Sequence, residues 1–337
     1  MEKENKEITL EKYNQKTWLK SALLGIFIGL AVIVPGISGS TVAIIFKLYD
    51  QFLYAVGNLF KKFKACFLFL LPIGIGLVAG FGVGLLGVQK LLEINMFAIV
   101  CLFAGLMTGA FPAVKDEIKG AKITAKRAIL FVIGLMIPVA LGCVSAWNSA
   151  EGLKAQEMAQ EATAVAVNIF DNVKASHLVL GLVFGFVVGV TQIVPGMSAS
   201  AFLMTVGWYN SLMSSVSMTY WKSNFSIFFV YASLGVGFLL GLFTFSKLLT
   251  YLFGVARHTS YCMIVGLSLG SIISMFCNGD IIMVYLQRWS SASVATADML
   301  LGAVLFAIGA AGAYMLVRVQ RKKDAEDKAK EETQSAE

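Results

Sequence analysis

The sequence predicts an all-α protein that crosses a membrane several times. We expect two inverted-topology repeats, each with one re-entrant helical hairpin broken at Pro-Gly and about three transmembrane helices. Three observations predict this fold: the composition, the distribution of positive charge and an internal repeat. The 337 residues are 58% hydrophobic and only 14% charged, whereas soluble chains average about half apolar and about a quarter charged.

Apolar runs without any charge recur along the chain, and most have the roughly 20 residues that a helix needs to cross a bilayer. They cover 65–89, 96–114, 128–150, 178–221, 225–246, 259–279 and 299–317. The stretch 17–34 is apolar too, and no small-x-small cleavage site follows it. We therefore expect a retained first segment rather than a cleaved signal sequence.

Positive residues are grouped as expected for cytoplasmic loops. Five groups hold 21 of the 27 Lys and Arg residues: Lys3–Lys20, Lys61–Lys64, Lys115–Arg127, Lys247 with Arg257, and Arg318–Lys330. Topology thus accounts for the net charge of +7, and nucleic-acid binding is not expected. The pattern places both termini in the cytoplasm.

These charges order the segments along the chain. Residues 1–16 are a cytoplasmic N-terminal segment, and 149–176 is an external loop or amphipathic segment. Repeat 1 (17–148) contains the hairpin 17–57 and crossings at 65–88, 96–113 and 128–148. Repeat 2 (177–317) contains the hairpin 177–216 and crossings at 225–249, 259–277 and 299–317. The charged cytoplasmic tail, 318–337, is expected to be solvated or disordered.

The internal repeat is visible in the motif "IVPGISGST" at 33–41, which returns as "IVPGMSAS" at 193–200. At an offset of 160, residues 25–50 and 185–210 are identical at 9 of 26 positions. Farther on, "AGLMTG" (104–109) resembles "VGLSLG" (265–270). Because each half contributes an odd number of crossings, the second copy is expected to be inverted, which is a recurring transporter design.

Each motif is a candidate anion site. Proline and glycine interrupt a helix, and Ser38 or Ser40 is expected to cap the next one, whose first N–H groups attract anions such as phosphate. Two inverted breaks would bring two such ends together near the membrane centre. The candidate residues are Pro35, Gly36, Ser38, Gly39, Ser40, Thr41, Pro195, Gly196, Ser198, Ala199 and Ser200. The alternative is a pair of kinks that only shapes helix packing.

Other polar residues are weaker candidates. Lys47 is expected to snorkel to the cytoplasmic interface, with Asp50 as a possible partner. Thr191 and Gln192 either line a cavity or bond across helices. Arg257 and His258 either meet a phosphate headgroup or anchor the topology. The interfacial aromatic belts are expected to include most of Trp18, Tyr49, Trp147, Trp208, Tyr209 and Trp221.

Metal and cofactor chemistry is not expected. The two histidines, His177 and His258, are far apart in sequence, and the five cysteines lack CxxC spacing. A lipid-phosphate phosphatase would need a His or carboxylate nucleophile with clustered arginines or a metal. The arginines are dispersed, so we predict that the protein is not an enzyme.

The motif pair, "GLAVIVPGISGSTVAII" with "GVTQIVPGMSASAFLMTVGWY", resembles the PopT family of polyprenyl-phosphate transporters, over roughly residues 18–318. These proteins were long catalogued as a bacterial membrane domain of unknown function. The resemblance implies a flippase of the bacterial cytoplasmic membrane that returns undecaprenyl phosphate from the outer to the inner leaflet for cell-envelope synthesis. The sequence suits a transporter or channel for a small anion equally well, and only the resemblance favours the lipid.

The chain departs from the family pattern at three positions. Ser40 replaces the second glycine of a usual Gly-Gly pair, Val32 stands where an aspartate is usual, and Ala199 takes a usual glycine position. Without the aspartate we assign no proton-coupling group in the first hairpin. Pro35, Gly36, Ser38 and Thr41 match the family motif. A homo-oligomer is possible.

Overall fold

The computed structural model describes residues 10, 13–33, 39–45, 48–84, 87, 89–161, 168–194 and 197–334. Side chains are not described at 31–33, 39, 41, 45, 89, 154–161, 320 and 323–334. Within these residues the chain is helical with connecting turns, and it contains no strand. The predicted all-α class is therefore confirmed.

The described helices follow one another with short connections. They are α1 (Gln15–Ile33), α2 (Gly39–Ile45), α3 (Tyr49–Gly57), α4 (Phe63–Val83), α5 (Gln89–Asp116), α6 (Ala125–Glu161), α7 (Ala175–Ile193), α8 (Ala199–Thr205), α9 (Tyr209–Ser215), α10 (Met218–Ser223), α11 (Ile227–Ser274), α12 (Gly279–Gln287) and α13 (Ala292–Gln334). A short 3-10 helix at Arg288–Ser290 precedes α13.

Six stretches of the described chain are long and apolar enough to cross a membrane: Phe63–Val83, Lys90–Asp116, Ala125–Leu153, Ala175–Ile193, Ile227–Ser290 and Ala292–Val319. Large apolar side chains on these helices face outward, such as Val78 at 71% exposure and Leu300 at 66%. Such surface is unfavourable in water and suited to lipid. The chain is a multi-pass membrane protein.

Helix α11 spans the region of the two crossings predicted at 225–249 and 259–277. It runs for 48 residues and has one non-helical residue, Ala256, with φ −144° and ψ 51°. A straight helix of that length would measure about 72 Å, more than twice the roughly 30 Å hydrocarbon core. The chain therefore changes direction at Ala256, where a loop was expected. Helix α5 has a similar non-helical residue at Asn95, 161 positions earlier.

Glycines bring α1 against α4 at backbone distance. A Cβ at Gly25 would overlap the carbonyl oxygen of Ile73, and one at Gly29 would overlap that of Leu77. Since the contacts advance in the same direction along both helices, α1 and α4 are parallel. Close approach of this kind is typical of membrane helices with small residues at the interface.

The same contact recurs between α7 and the first part of α11. Gly185 meets the carbonyl oxygen of Leu234, and Gly189 meets that of Phe238. These four positions lie 160 or 161 residues after their counterparts in α1 and α4. The repeat that the motifs predict is thus accompanied by a repeated, parallel packing of two helices.

Two further glycine contacts join the halves of the chain. In α5, Gly105 and Gly109 meet the backbone of Phe306 and Ala310 in α13. In the second part of α11, Gly266 and Gly270 meet the backbone of Phe131 and Leu135 in α6. Both pairs are parallel by the same reasoning. The last long helix of each half therefore packs against the other half.

A central core lies where both halves meet. It joins buried residues of α1, α2, α3, α4, α7 and α11, among them Leu24, Ala43, Leu53, Ile193 and Val265. Because Ile193 is the last residue of α7, the end of that helix lies inside the protein rather than against lipid.

The C-terminal tail, expected to be solvated or disordered, is helical as far as Gln334, where α13 ends. The tail is rich in Ala, Glu and Lys, which have high helix propensity, and opposite charges four residues apart add support. The Arg321 Nε donates to the Asp116 Oδ2 at 2.7 Å. This ion pair fastens the start of the extension to the end of α5.

The close approach of α7 and α11 predicts that Gly185→Ala destabilises the protein. The new methyl group would separate the two helices, and overpacking usually costs about 1–3 kcal/mol of unfolding free energy. Gly235→Ala is the matched control, because a Cβ there meets open space. Thermal unfolding in detergent micelles measures both variants. Equal midpoints would contradict the packing described above.

Candidate functional site

The described helices flank both Pro-Gly motifs, and the second motif is seen to interrupt its helix. Helix α1 ends at Ile33 and α2 begins at Gly39; α7 ends at Ile193 and α8 begins at Ala199. In the second motif Val194 and Ser198 both have extended backbone. Pro35, Gly36, Ser38, Lys47, Pro195 and Gly196 lie outside the described residues.

The second motif has a capped helix start with two hydroxyls side by side. Ser198 is the N-cap of α8, and its Oγ accepts a hydrogen bond from the Ala201 N–H at 3.3 Å. The Ser198 and Ser200 hydroxyl oxygens lie 2.9 Å apart, and both side chains are half-buried. The first regular backbone bond runs from Phe202 N to Ser198 O at 3.1 Å. The N–H groups of Ala199 and Ser200 therefore have no acceptor inside the helix.

The first motif is described in part. Gly39, Ser40 and Thr41 form the first turn of α2. Ser40 is buried, with 2% exposure. Helix α8 has seven residues between its caps Ser198 and Val206, so it is only about two turns long. Any anion binding at its start would therefore depend on first-turn N–H groups and hydroxyls more than on a long-helix dipole.

Tyr49 connects the two halves at this point. Its hydroxyl donates to the Ile193 carbonyl oxygen at 2.8 Å, and the contact is buried. Ala43 and Ile44 of α2 belong to the same core as Ile193. Helix α2 and the start of α3 therefore lie against the end of α7. Tyr49 was among the residues expected for the interfacial belts, but its 2% exposure makes it a core residue.

The other residues predicted for the aromatic belts include both buried and exposed side chains. Trp208 is buried against Phe170 and Phe184, so its interfacial assignment was wrong as well. Trp147 is 67% exposed, as an interfacial position requires. The sequence did contain a signal that Tyr49 is buried: it matches Tyr209 across the repeat. A residue of an interfacial belt has no need to be identical in both halves.

Thr191 and Gln192 precede the second break. Thr191 is fully buried, and its hydroxyl donates to the Val188 carbonyl of its own helix at 2.7 Å. Gln192 is half-buried. At the far end of α8, the Asn148 side chain of α6 donates to the Thr205 carbonyl at 2.9 Å. This bond satisfies a carbonyl that the short helix leaves without a partner.

Arg257 lies in an ion network rather than alone. Its Nη1 contacts Asp50 Oδ2 at 2.6 Å and its Nη2 contacts Glu117 Oε2 at 2.9 Å. The Tyr261 hydroxyl donates to the other Asp50 oxygen at 2.7 Å, and the guanidinium lies 5.0 Å from the Tyr261 ring centre. One cation thus faces two carboxylates, so Arg257 is neutralised in this conformation and is not a free anion ligand.

This network ties α3 and the turn after α5 to the point where α11 resumes after Ala256. In the structure Asp50 pairs with Arg257; its suggested pairing with Lys47 involves a residue outside the described part of the chain. The partners of Arg257 are 207 and 140 residues distant in sequence. No local pattern indicates contacts over such separations.

A second network lies at the other kink. The Asp298 carboxylate accepts from Asn95 Nδ2 at 2.7 Å, from Arg288 Nε at 2.7 Å and from Trp289 Nε1 at 3.0 Å. Asp298 is only 3% exposed. This network fixes the non-helical residue of α5 to α13, just as the Arg257 network fixes α11 to α3. Among the described residues no His, Cys, Asp and Glu group suits a metal ion.

The Arg257 network predicts non-additive stability effects. Arg257→Gln leaves two carboxylates without their cation, whereas adding Asp50→Asn removes one of the unpaired charges. We expect the double variant to lose less than the sum of the single losses, with a coupling of about 1–2 kcal/mol. Arg318→Gln is the control, because Arg318 is exposed and has no ion pair among the described residues. Additive thermal-unfolding effects would refute the coupling.

The chain is similar to two bacterial proteins over about three quarters of its length. The chain is 25% identical over 264 residues to a protein of Staphylococcus aureus named polyprenyl-phosphate transporter, covering 78% of this chain and 87% of that one. It is 27% identical over 268 residues to a Vibrio cholerae protein of the same name, covering 76% of each. No solved structure gives a significant match. The model of the undecaprenyl phosphate translocase-like family matches residues 28–294, and the chain belongs to that family.

Proposed function

We propose that this protein carries polyprenyl phosphate, undecaprenyl phosphate in particular, from the outer to the inner leaflet of the bacterial cytoplasmic membrane. The observation that carries the proposal is the bond from Tyr49 to Ile193. This bond holds the start of α3, which follows the first Pro-Gly motif, against the end of α7, which precedes the second motif. The family and the names of the two relatives supply the ligand class.

The first part of the proposal is that residues 17–57 and 177–216 are re-entrant hairpins. Parallel packing supports it, because α1 and α4 are consecutive long helices that run in the same direction. The short helices between them must therefore return the chain to the side from which α1 started. The same argument applies to α7 and the first part of α11.

The second part is that the two repeats are inverted. If the chain reverses between α4, α5 and α6, then α6 runs in the direction of α4. The second part of α11 is parallel to α6, and α13 is parallel to α5. With a reversal at Ala256, each of these helices runs opposite to its counterpart in the first half. A transporter of this design places its site where the repeats meet.

The third part is the site itself. We assign the phosphate to the two breaks, with the hydroxyls of Ser38, Ser40, Thr41, Ser198 and Ser200 and the N–H groups of both motifs as donors. The paired hydroxyls of Ser198 and Ser200 and the unbonded first-turn N–H groups of α8 support this assignment. Several fixed donors are required, because an unpaired phosphate is prohibitively costly to place in hydrocarbon. The prenyl tail remains in lipid.

Orientation follows from the charges. The groups around Lys61–Lys64, Lys115–Arg127 and Arg318–Lys330 belong on the cytoplasmic side by the positive-inside rule. Both termini then lie in the cytoplasm. Transfer toward this side returns the lipid carrier to the leaflet where cell-envelope precursors are assembled.

Proteoliposomes containing polyprenyl phosphate test the proposal. We expect the protein to equilibrate the phosphate headgroup between leaflets, measured by its accessibility to an external phosphatase. Ser38→Ala combined with Ser198→Ala should reduce the rate at least about tenfold, since each lost hydrogen bond to a charged group is worth about 1.5–3 kcal/mol. Ser223→Ala, an exposed hydroxyl outside the motifs, is the control.

Robust uptake of a small anion without any change in lipid orientation would contradict the lipid assignment. Release of inorganic phosphate from polyprenyl phosphate by the purified protein would contradict the transporter assignment. Full activity of the serine double variant would remove the hydroxyls from the site.

A further inference from the structure

A basic cleft of about 500 Å³ is lined by residues outside both Pro-Gly motifs. Its walls come from the turn between α5 and α6, from the first turn of α6 and from α11 just after Ala256. They include Lys122, Thr124, Arg127, His258 and Thr259. The cleft is open to its surroundings, and it lies on the side that the proposed function assigns to the cytoplasm.

Arg127 is held in place while keeping unused donors. Its Nη1 donates to the Lys122 carbonyl at 2.7 Å, and its Nε makes a long contact of 3.5 Å to the Thr259 hydroxyl. A guanidinium has five N–H donors, so about three have no partner among the described residues. A fork fixed in this way suits two oxygens of one phosphate group.

No carboxylate neutralises the cleft in the described part of the chain. The nearby acids, Asp116 and Glu117, already pair with Arg321 and Arg257. Neither Lys122, Arg127 nor His258 makes an ion pair there. The cleft therefore has a positive charge that calls for an anionic ligand from outside the chain.

The apolar side chains around the cleft point to a lipid surface. Ile123, next to Lys122, is 93% exposed, and Val255, next to the kink, is 68% exposed. Exposed aliphatic groups beside basic groups are typical of segments that lie at the headgroup level of a membrane. A site for a ligand dissolved in water would not require exposed aliphatic side chains beside it.

Helix α3 connects this region to the second break. Its neighbouring residues Tyr49 and Asp50 contact Ile193 and Arg257, respectively. Arg257 is followed in the chain by His258, which lines the cleft. The cleft is therefore linked through two residues of one helix to the place where the phosphate is proposed to bind.

We propose that this cleft binds the phosphomonoester headgroup of a membrane lipid at the cytoplasmic surface. This inference rests on the proposed function. The ligand is then polyprenyl phosphate that has completed its transfer to the cytoplasmic leaflet. A phosphomonoester has a charge between about −1.5 and −2 at neutral pH and three terminal oxygens. Arg127, Lys122 and the Thr124 hydroxyl match these oxygens. A phosphodiester lipid has one negative charge and fewer free oxygens, so the cleft should discriminate against it.

Histidine NMR provides a local test, because the chain has only two histidines. His258 lies in the cleft, whereas His177 lies at the start of α7, where its Nδ1 accepts from Lys174 N at 3.2 Å. Protein labelled with ¹⁵N-histidine in nanodiscs is titrated with farnesyl phosphate. We expect a saturable shift of the His258 signal, an unchanged His177 signal, and no response to farnesol.

Charge variants sharpen the test. Arg127→Gln should raise the half-saturating concentration at least about tenfold, because it removes the bidentate donor. Lys126→Gln, an exposed neighbour outside the cleft wall, should leave it unchanged. If Arg127→Gln fails to fold, Lys122→Gln replaces it. The Lys122 side chain is exposed, and its ammonium group has no ion pair among the described residues, so its loss should not affect folding.

Three results would overturn the inference. They are an unmoved His258 signal, an equal shift with a phosphodiester lipid, or saturation by inorganic phosphate at the same concentration, which would indicate a site for free phosphate. The test is separable from the transport assay. Active transport with a silent His258 contradicts the cleft alone, whereas a responding His258 without transport contradicts the proposed function alone.

Discussion

A helix that ends inside a membrane must have its free backbone groups satisfied by protein or by a wet cavity, since lipid offers no hydrogen bonds. The proposed re-entrant hairpin would meet this constraint at the end of α7, where the buried Tyr49 hydroxyl donates to the Ile193 carbonyl oxygen. Other long helices pack around that region. Glycine contacts draw α1 onto α4 and α7 onto α11, and the core gathered by these helices includes Ile193.

The last long helix of each half packs against the other half, so the two halves form a single packed unit. Helix α6 packs on the second part of α11, and α13 packs on α5. Each half therefore depends on the other for its own packing, and neither is expected to be stable alone. The two kinks, at Asn95 and Ala256, lie at matching positions and are each fixed by an ion network.

The sequence predicted what depends on composition and on local pattern. Apolar runs predicted the membrane helices, and the second Pro-Gly motif marked the position where α7 ends. The sequence missed what depends on distant pairs, such as the contact of Asp50 with Arg257, 207 residues away. Tyr49 was assigned to the membrane interface because an aromatic residue near a helix end suits a belt as well as a core. The crossings predicted at 225–249 and 259–277 require a turn between them, and in the structure that turn is a single non-helical residue, Ala256.

The central claim is that the two breaks form one wet phosphate site inside the membrane. The most direct measurement uses Ser200→Cys in a variant without the five native cysteines and a membrane-impermeant thiol reagent. The account predicts that the introduced thiol is modified from water and that polyprenyl phosphate slows the modification, whereas polyprenol without the phosphate does not. An unreactive thiol, or equal protection by both lipids, would contradict it.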